Sequence, residues 1–236
     1  MAHPPEALAP SSPRTLRAAE IAAEINAGLQ SLAVQDTPSI RTIRQAWSRT
    51  LRQESGQFVL TVAMALRRRY GYRFVPYELV ANHPGAYRRL TKARLEALGS
   101  GLDSWSAVDT FARTLAGPAW RDGLADDALI LKWTSSPDRW WRRAALVSTV
   151  ALNVRSKGGQ GDVRRTLRIC RLLVDDHDEL VEKALSWALR ELIVHDRQAV
   201  DTFLEANDAR LGPRVRREVR SKMETGLKTP RPAAHR

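Results

Sequence analysis

The chain has 236 residues, with 38 Lys and Arg against 26 Asp and Glu, so its formal net charge is +12 at neutral pH. The length suffices for one large domain or two small ones. The charge indicates nucleic acid as the leading class of partner and an anionic membrane surface as the second, and the plain explanation is a GC-rich genome, which raises the Arg and Ala content of every protein. The single cysteine, Cys170, excludes an intrachain disulfide and a zinc site built from Cys pairs, and its helical setting favours a small buried hydrophobe over a nucleophile.

The two ends of the chain differ in composition from its middle. Residues 1–13 are rich in Pro and Ser and are predicted as a disordered lead, and residues 226–236 as a disordered basic tail. No strong linker divides the stretch between them, so residues 14–225 are predicted as a single domain. The chain shows neither the apolar core of a signal peptide nor a run that could span a bilayer. We therefore expect no membrane partner and a cytoplasmic, nucleoid-associated protein.

Helical periodicity dominates this middle stretch. Apolar residues recur at helical spacing in LRAAEIAAEINAGL, SIRTIRQAWSRTLR, FVLTVAMALRRRY, LVEKALSWALRELIV and RVRREVRSKME. The one short strand-like run, YRFVPYELV, has an alternative interpretation as a helix that opens at Pro76. The pattern predicts an all-α fold.

Self-similarity indicates how the helices are arranged. PDRWWRRAALVSTVAL (137–152) aligns with HDELVEKALSWALREL (177–192) at an offset of 40, which pairs Asp138 with Asp178 and Ala144 with Ala184. The two aspartates are suited to cap their helices. A period near 40 made of paired helices is typical of HEAT-like repeats, which stack into a solenoid. We predict a HEAT-like helical-repeat solenoid with a concave basic DNA-binding face.

The segment DSWSAVD (103–109) raises the first question of chemistry. Trp105 and Asp109 are four residues apart and share one face of a helix that Asp103 or Ser104 can cap. A buried face would favour an apolar residue in place of the aspartate, and a solvated face would not usually carry the tryptophan. The pair is either a core feature or half of a site, and the plain alternative for Asp109 is an ion pair with Arg113, its own i+4 neighbour.

Basic clusters recur along the chain, in RRRYGYR (67–73), RRLTKAR (88–94) and RVRREVRSK (214–222). Each cluster alone is most simply a solvated helix face. Together with the net charge they favour polyanion binding, in which arginines hold phosphates and set the register without reading sequence.

Three segments in order carry a family resemblance: DSWSAVD, KWTSSPDRWWRRAAL and VEKALSWALRE. Together they resemble the DNA alkylation repair family of the AlkD type, whose members are HEAT-like-repeat DNA glycosylases that remove cationic alkylpurines. The resemblance is best over about residues 100–222 and fainter from TPSIRTIRQ (37–45) onward. It implies a monofunctional glycosylase acting on N3- and N7-alkylated purines in duplex DNA without base flipping, which would admit bulky adducts as well.

The resemblance also implies roles for particular residues. The catalytic aspartate of the family falls on Asp109, its two lesion-flanking tryptophans on Trp105 and Trp187, and its DNA-contacting arginine on Arg143. A purine alkylated at N3 or N7 is already cationic and leaves without a general acid. As the bond stretches, positive charge develops on the deoxyribose. A carboxylate can stabilise that charge and orient water, and indole faces attract cations.

Three further residues are assigned to DNA binding: Arg142, Arg190 and Thr37. Arg190 has an alternative role as a structural partner of Glu191. The region before TPSIR is shorter than is usual in the family, and Asp36 stands where a neutral polar residue that helps to hold DNA would be expected. We expect this extra carboxylate to repel phosphate.

Two other classes of protein remain open. One is a non-catalytic HEAT-like-repeat protein that binds bent or branched DNA, although such paralogues tend to lose the aspartate or the tryptophans. The other is a helical-repeat adaptor for proteins, whose binding face should be mixed in charge. No set of His, Asp and Glu has metal-ligand spacing, so no metal and no cofactor are expected. The expected partner is double-stranded DNA with alkylated purines, bound by a monomer, because one solenoid can grip DNA alone.

Overall fold

The structure, a computed structural model, describes residues 12–229. Residues 1–11 of the predicted lead and 230–236 of the predicted tail therefore lie outside the described residues. Every regular element from 12 to 229 is helical, which confirms the predicted all-α class. Most of the strand-like run YRFVPYELV is helical, as its alternative interpretation predicted, but the helix begins at Phe74, two residues before Pro76. Within 12–229 no helix combines the length and apolar character needed to cross a membrane.

The chain forms two compact units, one up to Arg89 and one from Leu90 onward. The prediction of a single domain over 14–225 stays a prediction. The first unit contains five helices among its described residues: α1 (Pro13–Gln30), α2 (Thr37–Thr50), α3 (Gly56–Tyr70), α4 (Phe74–Ala81) and α5 (Pro84–Tyr87). Helix α1 packs on α3 through an apolar face that includes Ile21 and Ile25, and α3 packs in turn on α4 and α5.

The second unit carries the segments that predict the site. Its helices are α6 (Lys92–Gly99), α7 (Trp105–Phe111), α8 (Gly117–Arg121), α9 (Asp127–Thr134), α10 (Arg139–Asn153), α11 (Val163–Leu172), α12 (Glu179–Leu192), α13 (Arg197–Ala206) and α14 (Pro213–Thr225). A π-helical turn (Ala112–Ala116) joins α7 to α8, and a short 3₁₀ turn (Arg155–Lys157) follows α10.

The predicted offset of 40 residues is present in the helices themselves. Helix α10 begins at Arg139 and α12 at Glu179, and the carboxylates of Asp138 and Asp178 each accept a backbone N–H two residues on, at 2.9 Å. Both predicted caps are confirmed. Helix α10 packs on α12, and α12 packs on α14, so equivalent helices of successive repeats are neighbours. This arrangement is consistent with a helical-repeat solenoid; the HEAT-like assignment and the concave basic face stay predictions.

The π turn between α7 and α8 ends in a tight contact. The Gly117 N–H donates to the carbonyl of Ala112, five residues back, which is the hydrogen bond that defines a π-helix. A Cβ at Gly117 would lie 2.5 Å from the carbonyl oxygen of Ser148 and 2.6 Å from the Cβ of Ala151 on α10. Glycine is therefore needed here because the backbones of α8 and α10 approach too closely for any side chain.

We expect Gly117→Ala to lower the stability of the protein by about 1–3 kcal/mol, because the added methyl overlaps a backbone carbonyl. The matched control is Gly28→Ala in α1, where a Cβ has nothing closer than 3.8 Å. That change should raise stability by about 0.5–1 kcal/mol through helix propensity. Thermal melting followed by circular dichroism measures both, and equal melting temperatures for the two variants would contradict the close approach.

Candidate functional site

Helix α7 presents Trp105 and Asp109 away from its buried side. Ser104 caps the helix by accepting the N–H of Ala107, which confirms one of the two predicted caps. Ala107, Val108 and Phe111 form the buried side of this helix. The Trp105 side chain, on the first residue of the helix, is 60% exposed. The pair in DSWSAVD is therefore not a core feature of this helix.

Asp109 is held by the guanidinium of Arg143, on α10. The Arg143 Nε donates to Asp109 Oδ1 and Nη2 donates to Oδ2, both at 2.9 Å, so the ion pair is bidentate. The remaining terminal nitrogen, Nη1, donates to the backbone carbonyl of Leu180 in the first turn of α12. Arg143 is only 5% exposed. One buried side chain thus joins α7, α10 and α12.

Burial and ion pairing act on the Asp109 carboxyl in opposite directions. Burial raises the pKa of Asp109 above its ordinary value, against the hydrogen bonds and charge of Arg143 and the more distant charge of Arg113, which lower it. The Asp109 side chain keeps 16% of its surface exposed. A carboxylate that is partly exposed in this way can still meet a charged ligand from solvent.

Trp187 lies on α12, about two turns after the carbonyl that Arg143 contacts. Its indole Nε1–H donates to Oε1 of Glu191 at 3.0 Å, which fixes the ring by an i, i+4 contact on the same helix. The Arg113 guanidinium carbon lies 5.1 Å from the centroid of the Trp187 ring, which is cation–π distance. The face of Trp187 in this structure therefore carries a cation.

The position of Arg113 contradicts the plain alternative for Asp109. That alternative was an i, i+4 ion pair between the two residues, but Asp109 pairs with Arg143 instead. Arg113 lies in the π turn, and its side chain reaches Trp187 on another helix. Sequence reasoning did not identify Arg113 as part of the site, because no local pattern links it to a tryptophan 74 residues away along the chain.

The two other arginines assigned to DNA binding in this unit are engaged within the protein. Arg142 donates from Nε to Asp176 at 2.6 Å and from Nη1 to the carbonyls of Ser136 and Pro137. It therefore ties together the loops that precede α10 and α12. The structure brings Arg142 into contact with these loops and not with Asp109.

Arg190 is likewise occupied, although not by the neighbour that the sequence suggested. Its Nε donates to the carbonyl and hydroxyl oxygens of Ser186, and its Nη2 lies 3.9 Å from the buried carboxylate of Glu218 on α14. Glu191, the alternative partner, accepts from Trp187 instead. Burial lowers the pKa of Arg190. The DNA-binding roles of Arg142, Arg143 and Arg190 stay predictions.

The first unit holds the remaining predicted residue. Thr37 is exposed on the first turn of α2. Asp36 caps this helix by accepting the N–H of Ser39 at 2.8 Å, and this hydrogen bond lowers the pKa of Asp36. The carboxylate that departs from the family pattern thus has a structural task at the start of the helix, where a carboxylate also complements the helix dipole.

The other candidates from the sequence are structural. Cys170 is fully buried, and burial raises the pKa of its thiol, so it behaves as the small hydrophobe that was predicted. Trp120 and Trp133 are in the core. Within residues 12–229, no group of three or more His, Cys, Asp and Glu is placed to hold a metal ion.

Comparison with known proteins places the chain in a family. The model of the family described as DNA alkylation repair enzyme matches residues 14–223. No curated protein and no solved structure matches the chain. Because the family match covers nearly the whole chain, this protein belongs to the DNA alkylation repair enzyme family.

Proposed function

We propose that the protein is a monofunctional DNA glycosylase that hydrolyses the N-glycosidic bond of cationic N3- or N7-alkylated purines in duplex DNA. The observation that carries this proposal is the Asp109 carboxylate, held by both oxygens on Arg143, which also contacts the first turn of α12, the helix that carries the cation-binding face of Trp187. A carboxylate held in a fixed position, together with an indole face that binds a cation, suits a substrate that is cationic before the reaction and remains so in its transition state.

The reaction needs little acid catalysis. An alkyl group on N3 or N7 makes the purine cationic, so it departs as a neutral base when the glycosidic bond breaks. The positive charge passes to the deoxyribose, in a transition state resembling an oxocarbenium ion. Water then adds to the sugar carbon and loses a proton. The protein must therefore stabilise positive charge on the sugar and position one water.

Asp109 fits both tasks through its geometry. Each carboxylate oxygen accepts one hydrogen bond from Arg143, which leaves further lone pairs on each oxygen for a water or for the sugar. The bidentate contact removes the freedom of the side chain to rotate, so no reorganisation is needed as charge develops. Arg143 thus acts as a positioning residue for Asp109, in addition to the DNA contact that the family resemblance implies.

The tryptophans supply the second source of attraction. Trp105 is largely exposed one turn before Asp109, and Trp187 already binds a guanidinium on its face. Indole faces attract cations by up to about 2 kcal/mol when water is excluded. Both rings would favour an alkylated purine over an ordinary one, because only the alkylated base carries charge.

The bulky-adduct variant and the non-catalytic alternative both stay open to test. Acceptance of a bulky adduct follows from the family resemblance and from the exposure of Trp105, which leaves room on that side of the helix. A non-catalytic protein that binds bent or branched DNA would not need a carboxylate held in this way. The bidentate pair therefore favours the glycosylase.

The primary experiment measures base release from a duplex with a single N7-methylguanine. We expect the wild type to release the base and Asp109→Asn to lose about 10²–10³ in rate, the range typical for removing one preorganised electrostatic contact. The matched control is Asp175→Asn, which removes an exposed carboxylate paired with Arg210 outside the site and should keep the rate. Circular dichroism melting checks that each variant is folded.

Three results decide the assignment. Equal rates for Asp109→Asn and the control would contradict the catalytic role of Asp109. No release by wild type together with tight, salt-dependent binding would favour the non-catalytic DNA-binding protein. Release only from a duplex with a bulky N3 or N7 adduct would assign the bulky-adduct variant.

The tryptophans are tested by separate substitutions to leucine. We expect Trp105→Leu and Trp187→Leu each to lower kcat/KM for N7-methylguanine about 10-fold, since each removes one indole face from a cationic substrate. Trp140→Leu is the control, because Trp140 also lies under an arginine, Arg139, at 5.0 Å but outside the site. A similar loss in all three variants would mean that tryptophan removal acts through stability alone.

The pH dependence follows from the environment of Asp109. The carboxyl must be ionised to act, and burial raises its pKa above the ordinary value of 3.8. As pH falls through this raised pKa, kcat/KM should decline. The acidic limb of the pH profile should therefore lie at a higher pH than the limb that an exposed aspartate would give. The measurement is kcat/KM against pH with uncatalysed depurination subtracted. An acidic limb that persists unchanged in Asp109→Asn would belong to another group.

A further inference from the structure

Arg113 is an exposed arginine whose guanidinium has one direct contact among residues 12–229, and its charge also acts on Asp109. Its guanidinium lies over Trp187, with 5.1 Å between the guanidinium carbon and the ring centroid. No hydrogen bond or ion pair holds this guanidinium within residues 12–229. Most other arginines near the site, in contrast, are held by carboxylates or carbonyls, as Arg142 and Arg143 are. The contact with Trp187 is thus the interaction that keeps Arg113 in place.

We propose that Arg113 is an internal occupant of the cation site on Trp187, and that a cationic nucleobase must displace it to reach that face. This inference rests on the proposed function. Arg113 would then be a specificity-determining residue, because it occupies the face of Trp187 that the substrate base would also contact. Arg113 would hold the site closed to uncharged bases, which gain no cation–π attraction in exchange.

The charges around the site support displacement over joint occupancy. Asp109 is already paired with Arg143, and Arg113 adds a second cation whose charge also acts on Asp109. An alkylated purine entering with Arg113 still in place would make three cations around one carboxylate. Movement of Arg113 into solvent removes one of them and frees the ring at the same time.

The backbone around Arg113 suits a residue that changes position. Arg113 lies in the π turn that runs from Ala112 to Ala116, between two regular helical segments. Single π turns inside α-helices occur frequently at functional sites. The arginine side chain is long and flexible, and its exposure here leaves solvent free to receive it.

This arrangement has a measurable consequence for binding. If the site is open only when Arg113 is displaced, the apparent affinity for an entering base is its intrinsic affinity multiplied by the fraction of molecules in which Arg113 is displaced. Removal of the guanidinium restores that affinity. Undamaged DNA places no cationic base on Trp187, so its affinity should not gain.

The test compares wild type with Arg113→Gln on two duplexes of one sequence. One duplex contains N7-methylguanine on a 2′-fluoro sugar, which resists hydrolysis, and the other is undamaged. We expect Arg113→Gln to bind the lesion duplex about two- to fivefold more tightly, the factor that corresponds to releasing an exposed cation–π contact. Its affinity for the undamaged duplex should stay equal or fall slightly.

The matched control is Arg139→Gln. Arg139 lies over Trp140 at a similar distance, 5.0 Å, and also pairs with Asp178 at 3.4 Å; its loss removes an equal charge outside the site. This variant should not tighten lesion binding.

One result would overturn the proposal. If Arg113→Gln binds both duplexes more weakly, and if its salt dependence falls by about one phosphate contact, then Arg113 is an ordinary phosphate ligand.

A second measurement does not depend on catalysis. The side-chain Nε–H resonance of Arg113 should be shifted by the ring current of Trp187, and the shift should vanish in Trp187→Leu. Addition of the 2′-fluoro lesion duplex should move this resonance towards that of a free arginine. A resonance that keeps its ring-current shift with the lesion bound overturns the proposal, because Arg113 then stays on the ring.

The two proposals fail in different ways. If wild type does not release N7-methylguanine from the ordinary duplex, the glycosylase assignment fails, while the binding and resonance measurements still decide whether Arg113 is displaced. If the base is released but Arg113→Gln does not tighten lesion binding, the role of Arg113 fails and the glycosylase assignment stands.

Discussion

The guanidinium of Arg143 is the interaction on which the site depends. A buried charge is costly unless it is paired and hydrogen-bonded. Arg143 meets this requirement with the two oxygens of Asp109 on α7 and with the carbonyl of Leu180 at the start of α12. The three helices must therefore keep one spacing. That spacing sets the position of the Asp109 carboxylate and also of Trp187, which α12 carries about two turns further on.

Similar contacts between neighbouring repeats account for much of the basic composition. The pairs Arg143–Asp109, Arg142–Asp176, Lys132–Glu96 and Arg210–Asp175 are separated by 34, 34, 36 and 35 residues. These separations are a little shorter than the 40-residue offset, so each pair joins elements that lie far apart in the chain. Many of the basic residues thus serve internal ion pairs. The net charge of +12 remains an attraction for DNA, but fewer arginines are free to contact phosphate than the sequence suggests.

In the absence of DNA, the carboxylate and the aromatic face of the site are each paired with an arginine of the protein. Asp109 is neutralised by Arg143, and the face of Trp187 is covered by Arg113. An anion and an aromatic face that stood unpartnered would attract any cation from solvent. Internal cations on both groups restrict the site to ligands that can compete for them. Under the proposed function, such a ligand is a purine that alkylation has made cationic.

The sequence by itself determined the helical class, the offset of 40 residues between α10 and α12, and the capping of α7, α10 and α12, because each depends on residues close together in the chain. It also placed Asp109 and Trp105 on one face of a helix, because they are four residues apart. The tertiary structure alone decided the partners of the charged groups. The plain alternatives paired Asp109 with Arg113 and Arg190 with Glu191, yet Asp109 pairs with Arg143 and Arg190 faces Glu218. An i, i+4 pair on an exposed helix contributes only a few tenths of a kcal/mol, whereas a buried guanidinium requires its partners, so packing between helices overrides the local preference.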